Sequence, residues 1–190
     1  EVWSFKDLLD FSLVASSNDG TAAIAAAAGA VANREGDNSL DHAIFIINMN
    51  EKAASIGMKT SKFYNETGLD LLDGTNGGYA SARDLATLFE YTLRNHPEVF
   101  EATREQLLSV TSESNIAHKA QNTNSSVNAI PNLIGSKTGF TDIAGGNLGI
   151  IFDAGIDRPI AVIVLSSTYE GRFADIESLI QKTLESISQE

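Results

Sequence analysis

Cysteine is absent, which excludes disulfide bridges and thiolate metal sites, although it leaves the compartment open. Basic residues are scarce: 13 lysines and arginines stand against 25 aspartates and glutamates, for a net charge of -12 and a pI near 4.6. A chain this acidic repels phosphate backbones and anionic lipid, so no nucleic-acid partner is expected. An anionic substrate would need a local cationic pocket set against that field. No apolar run approaches membrane-spanning length. His42, His96 and His118 lack metal-ligand spacing and read as surface or packing residues, so neither a metal nor a cofactor is expected. There is no internal repeat, and no low-complexity segment beyond one alanine-rich stretch.

What is present fits one folded domain over residues 1–190, with 43% hydrophobic and 20% charged residues. Phe5, Leu8, Leu9, Ser12 and Leu13 fall at helical spacing, which predicts a helix over 4–15. A second helix, Thr21 to Ala32, follows the polar Ser16-Ser17-Asn18-Asp19-Gly20. Those short polar side chains suit a helix N-cap, and equally a catalytic loop, because both need them at a helix start. A third helix opens near Ser39 or Leu40 and ends at Gly57, and residues 58–78 read as a long loop. Ser81-Ala82-Arg83-Asp84 opens a fourth helix. After a polar segment at 111–129, three β-branched runs over 133–140, 145–152 and 159–166 predict an antiparallel meander. A closing helix carries Phe173, Ile176 and Ile180. Helices first and strands last give an α+β layout, a helical subdomain beside an antiparallel sheet flanked by helices.

The chemistry concentrates in Gly135-Ser136-Lys137-Thr138-Gly139-Phe140-Thr141-Asp142. Lys137 and Thr138 fall on the first meander strand, and Gly139 lets a ligand's backbone come close. An ammonium, a hydroxyl and a bare backbone side by side suit an anionic, peptide-like ligand. A phosphate-binding loop is rejected, because it needs glycine directly before the lysine, where Ser136 stands. Lys137 could also serve only as a charged gatekeeper of an edge strand. Arg172 by itself reads equally as a solvated residue at a helix start.

Ser16-Ser17-Asn18-Asp19, Phe63-Tyr64-Asn65, Gly68-Leu69-Asp70, Ser81-Ala82-Arg83-Asp84, Asn122-Thr123-Asn124, Lys137-Thr138-Gly139 and Ala144-Gly145 occur in this order. In that order and spacing the chain resembles the serine D-alanyl-D-alanine carboxypeptidases, the low-molecular-weight penicillin-binding proteins. The likeness runs from Leu8 to about Leu184 and implies the β-lactamase/D,D-peptidase-like fold. It implies a reaction in which a serine attacks the bond between two terminal D-alanines of a peptidoglycan stem peptide, with β-lactam antibiotics as ligands of the same cleft. By this resemblance Ser16 relays a proton to the leaving amine, and Asn18 holds the substrate amide. Lys137 and Thr138 bind the terminal carboxylate with help from Arg172. Gly139 leaves the strand bare, and the Phe140 N–H contributes half of an oxyanion hole.

The family's nucleophile motif, Ser-x-x-Lys, is absent: the residues three before the seven lysines are Trp3, Met49, Ile56, Lys59, Ile116, Ile134 and Leu179. The resemblance therefore implies an N-terminally incomplete polypeptide that is inactive alone. Its expected partner is the missing N-terminal segment or a second copy. An extracytoplasmic location, in the periplasm or cell envelope, is implied as well. A D,D-endopeptidase is compatible with the same residues, and so is a non-catalytic module that binds stem peptides or scaffolds the cell wall. A class A β-lactamase is disfavoured, since that pattern prefers Ser-Asp-Asn where this chain has Ser16-Ser17-Asn18.

Overall fold

A computed structural model describes residues 1–34 and 36–189. Helix α1 spans Phe5–Ala15 and α2 Asn18–Ala32, joined by a two-residue corner. Ser4 caps α1 by accepting from the Asp7 N–H, and Ser17 caps α2 by accepting from the Gly20 N–H. The second helix thus starts three residues earlier than expected, because Ser17 alone supplies the cap and leaves Asn18 as the first helical residue. The two helices approach closely at Gly20, where an added Cβ would lie 2.2 Å from the Ser12 hydroxyl. Helix α3, Asp41–Ser55, packs on α2 and ends before Gly57, whose φ of 93° places it in the left-handed region.

The segment expected as a loop contains a small antiparallel ladder, β1 (Lys62–Phe63) with β2 (Gly78–Tyr79). Two residues per strand leave no periodicity to read. The ladder is anchored from outside: the Asn50 side chain donates to the Phe63 carbonyl and accepts from its N–H, standing in for a neighbouring strand. Helix α4, Ala82–Asn95, opens on the predicted Ser81 cap. Its Asp84 is buried and accepts from the Thr60 N–H, the Thr60 hydroxyl and the Ser61 hydroxyl at 2.8–2.9 Å. Burial works against the charged carboxylate, and these bonds overcome it, so the Asp84 pKa is lowered.

Strands β3 (Leu107–Thr111) and β4 (Ala117–Gln121) form a hairpin under α1, where Val14, Ala102 and Ala120 make a compact core with Phe11, Ala15 and Leu108. Of the predicted stripe Ser12 is buried and Leu8, Leu9 and Leu13 are partly buried, but Phe5 is exposed, and Phe11, Val14 and Ala15, outside the stripe, pack on the hairpin. The hairpin, and not the helix's own pattern, chooses the face. The single tryptophan, Trp3, lies on this side, its ring centroid 4.6 Å from that of His118 and 5.5 Å from that of Phe11.

The main sheet is the predicted meander, β5 (Leu133–Thr141), β6 (Gly145–Asp153) and β7 (Pro159–Ser167), in that order and antiparallel. One face packs Leu148, Ile150, Phe152, Val162 and Val164 against Ile176 and Ile180 of α5, Gly171–Ile187. The other packs Ile151, Ile163 and Ala161 against Phe89 of α4 and Phe100. Phe173, Ile176 and Ile180 form the inner stripe of α5 as expected, while Leu179 remains exposed. The layout is α+β, with the outer edges of β5 and β7 unpaired among the described residues.

Candidate active site

The free edge of β5 faces the α1–α2 corner. Ser16 turns that corner in a left-handed conformation, φ 52° and ψ 47°, which non-glycine residues adopt rarely and at a cost. The strained turn points the Ser16 hydroxyl at the strand, where it accepts a hydrogen bond from Lys137 Nζ. Lys137 Nζ also donates to the Thr138 carbonyl at 2.6 Å. That carbonyl therefore faces the cleft. Because backbone groups in an extended strand alternate sides with period two, the N–H and C=O of Phe140 share the same edge.

Arg172 lies in the first turn of α5 and is 3% exposed. Its Nη1 donates to the Gly139 carbonyl at 2.9 Å. Its guanidinium carbon lies 4.5 Å from the Tyr169 ring centroid and 4.8 Å from that of Phe173. The solvated reading of this arginine is thus wrong: the aromatic pair and the strand hold it in the interior. Its buried Nε has no hydrogen-bond partner. Among the described residues, neither Lys137 nor Arg172 forms an ion pair with a carboxylate. Burial, and then the nearby Arg172 charge, lower the Lys137 pKa to about 8.

These residues line a cavity of about 500 Å³ that gathers Ser16, Asn18, Lys137, Thr138, Gly139, Phe140 and Arg172, all seven of the residues singled out from the sequence. Asn18 is exposed on the first turn of α2, and Phe140 packs its half-exposed ring edge-on against Tyr169 at 5.0 Å. A Cβ on Gly139 would touch only Asn147 Cβ, at 3.8 Å, so internal packing does not require glycine there. The gatekeeper reading of Lys137 also fails, because its ammonium is turned into the cleft and held by two acceptors.

Other parts of the wall had no assigned role. Glu66 to Leu69, inside the long loop, line the opposite side, and the loop is tied to the strand by the Thr141 hydroxyl donating to Asp70 Oδ1 at 3.1 Å. Thr123, in the segment Asn122-Thr123-Asn124, enters between Ser16 and Thr138. That segment is fixed by the Asn122 amide, which donates to the Thr103 and Glu105 carbonyls. The polar triplet was visible in the sequence; its position on the wall was not, since it depends on contacts across 15 to 107 residues.

A helical layer against an antiparallel sheet, with Lys137 on the strand bonded to Ser16 at a helix corner, is the arrangement of this chain, and its fold is that of the penicillin-binding proteins. A family model described as D-alanyl-D-alanine carboxypeptidase matches residues 1–168, and the chain belongs to that family. It is 29% identical to D-alanyl-D-alanine carboxypeptidase DacF of Bacillus subtilis over 181 residues, covering 95% of this chain and 42% of that protein. To DacA of Escherichia coli K12 it is 29% identical over 136 residues, covering 72% and 32% respectively. The chain thus spans less than half of the length of these curated relatives. Penicillin-binding protein D2 of Listeria monocytogenes, solved with ampicillin bound, superposes with a TM-score of 0.76 at 32% identity, covering 94% of this chain and 66% of that one.

Proposed function

We propose that this chain supplies the carboxylate clamp and proton-relay side of a serine-type D-alanyl-D-alanine carboxypeptidase, which removes the terminal D-alanine from peptidoglycan stem peptides through an acyl-enzyme. The observation that carries this reading is a pair of cations, half-buried Lys137 and buried Arg172, lining one cleft of a strongly acidic protein with no carboxylate partner among the described residues. Unpaired charge in a poorly solvated site is costly, and an anionic ligand relieves it. The terminal carboxylate of a peptide ending in D-Ala-D-Ala fits, and so does the carboxylate of a β-lactam.

In this reading the scissile carbonyl lies against the Phe140 N–H, and Asn18 holds the substrate amide. The attacking serine oxygen adds to the carbonyl carbon, its proton is handed on through Ser16 to the leaving amine, and the C–N bond of the resulting tetrahedral adduct then breaks. Water then frees the acyl group. Residues 1–190 hold no Ser-x-x-Lys, so the nucleophile comes from a polypeptide segment outside them. That segment is the partner we propose. A second copy of the same chain could fill a sheet edge but brings no such motif. With that substrate, the site of action we propose is extracytoplasmic, in the periplasm or cell envelope, where stem peptides are exposed.

The reading is tested with the native protein, by D-alanine release from a stem pentapeptide and by labelling with a fluorescent penicillin. Lys137→Ala is expected to lower acylation by roughly 10²-fold, through loss of a charge-assisted contact. Unchanged D-alanine release in that variant overturns the clamp. Residues 1–190 alone are expected to form no penicilloyl adduct, and a stable adduct on Ser16 would reassign the nucleophile.

A further inference from the structure

Thr123 lies at the junction of the two halves of the cleft. Its hydroxyl is 2.6 Å from the Thr138 hydroxyl and 3.4 Å from that of Ser16, the second a long, weak contact. Its backbone N–H donates to the Val14 carbonyl at 3.2 Å, at the end of α1. The segment on either side is fixed in turn. The Asn122 side chain spans two carbonyls, and the Asn124 and Ser126 N–H groups donate to Asn122 Oδ1 and Asn124 Oδ1. Thr123 is therefore held by a rigid support and joins the corner serine to the carboxylate-binding strand.

The direction of this hydroxyl chain follows from the donor inventory. An ammonium can only donate, and a hydroxyl has one proton to give. Lys137 gives one proton to the Ser16 oxygen and another to the Thr138 carbonyl. The Ser16 hydroxyl then has its own proton free for Thr123. If Thr123 donates to Thr138, the Thr138 proton is free for the cavity that the residue lines. If the 2.6 Å bond runs the other way, Thr138 has spent its only proton and offers a carboxylate nothing but lone pairs.

We propose that Thr123 is a positioning residue: it donates to Thr138 and so aims the Thr138 hydroxyl proton at the ligand's carboxylate, completing a donor chain that runs from Lys137 through Ser16 and Thr123 to Thr138. This rests on the carboxylate-clamp reading above and assigns the wall residue that sets the clamp's polarity. The lowered Lys137 pKa adds a condition, because the chain keeps its direction only while the ammonium keeps its proton.

The test uses the native protein and two blocked peptides ending in D-Ala-D-Ala, one with a free terminal carboxylate and one with a terminal carboxamide. The quantity read is the ratio of their kcat/KM values. Thr123→Val keeps the shape and removes the hydroxyl; it is expected to lower the carboxylate-to-carboxamide ratio about tenfold, the scale of one hydrogen bond to a charged group. The loss should fall mainly in KM, and more heavily on the carboxylate peptide than on the carboxamide. Thr123→Ser is expected to restore the ratio. Equal loss on both peptides, or no loss on either, overturns the positioning role and leaves a structural one. If the wild-type protein shows no preference for the carboxylate, the clamp reading itself fails and this inference fails with it.

Discussion

At the scale of single residues, the sequence was most informative where chemistry and spacing coincide. Lys137-Thr138-Gly139 was legible as a chemical cluster on a predicted strand and Ser16-Ser17-Asn18 as short polar residues at a helix start, and the family resemblance joined them into one site. What could not be read was their protonation and environment. Lys137 has a pKa lowered to about 8, with burial as the larger cause and Arg172 the smaller. Two consequences follow. In the proposed clamp the ammonium is the working group, so KM for a carboxylate peptide is expected to rise as pH passes above about 8, and a pH profile of kcat/KM checks it. Folding is linked to the same group. Between about 8 and the ordinary value of 10.5 the unfolded chain binds the Lys137 proton and the folded one does not, so stability rises with pH across that window. Below it both states are protonated, and the folded state bears the penalty of a partly desolvated charge. Lys137→Met is expected to abolish this part of the pH dependence, as measured by urea unfolding at pH 7, 9 and 10.5. An unaltered dependence in the variant would place the ammonium in water. Arg172 was the least legible residue, because nothing local announces that a helix-start arginine will be enclosed by Tyr169 and Phe173.

At the scale of elements, the strands of the meander were predicted to within a residue or two, since β-branched runs bounded by turns are a strong local signal. The β1–β2 ladder and the β3–β4 hairpin were harder. The first depends on a partner elsewhere, Asn50, and the second packs under α1. Between the hairpin and the main sheet, Thr103 acts as a pin. Its buried hydroxyl accepts from the Ser136 N–H at 3.1 Å and donates to the Phe100 carbonyl at 2.8 Å. Thr103→Val removes both bonds at constant shape and leaves a buried strand N–H without a partner. It is expected to cost about 1–3 kcal/mol, read from the shift of the urea midpoint at unchanged slope. A cost near zero would mean that water reaches the Ser136 amide. Because Ser136 precedes Lys137, the same variant should also loosen the clamp and raise KM.

At the scale of the whole molecule, the two layers meet around a cleft whose lining is cationic while the surface is acidic. The sheet between them ends at β7, which has no strand on its outer side among the described residues. If a segment bearing Ser-x-x-Lys is the partner, size-exclusion chromatography with light scattering should find the native protein heavier than 20.3 kDa, and denaturing mass analysis should find the additional polypeptide. A lone cooperative 20.3 kDa monomer would contradict that expectation, and a homodimer without other peptide would assign the edge to a second copy. The one tryptophan stacked on His118, where α1 meets the hairpin, gives this architecture an optical consequence. All indole fluorescence from the chain originates at that single contact. Its emission reports whether the helical layer still sits on the hairpin, independently of the main sheet, which holds no tryptophan. A red shift of the emission ahead of the loss of far-ultraviolet ellipticity would reveal that the hairpin side lets go first.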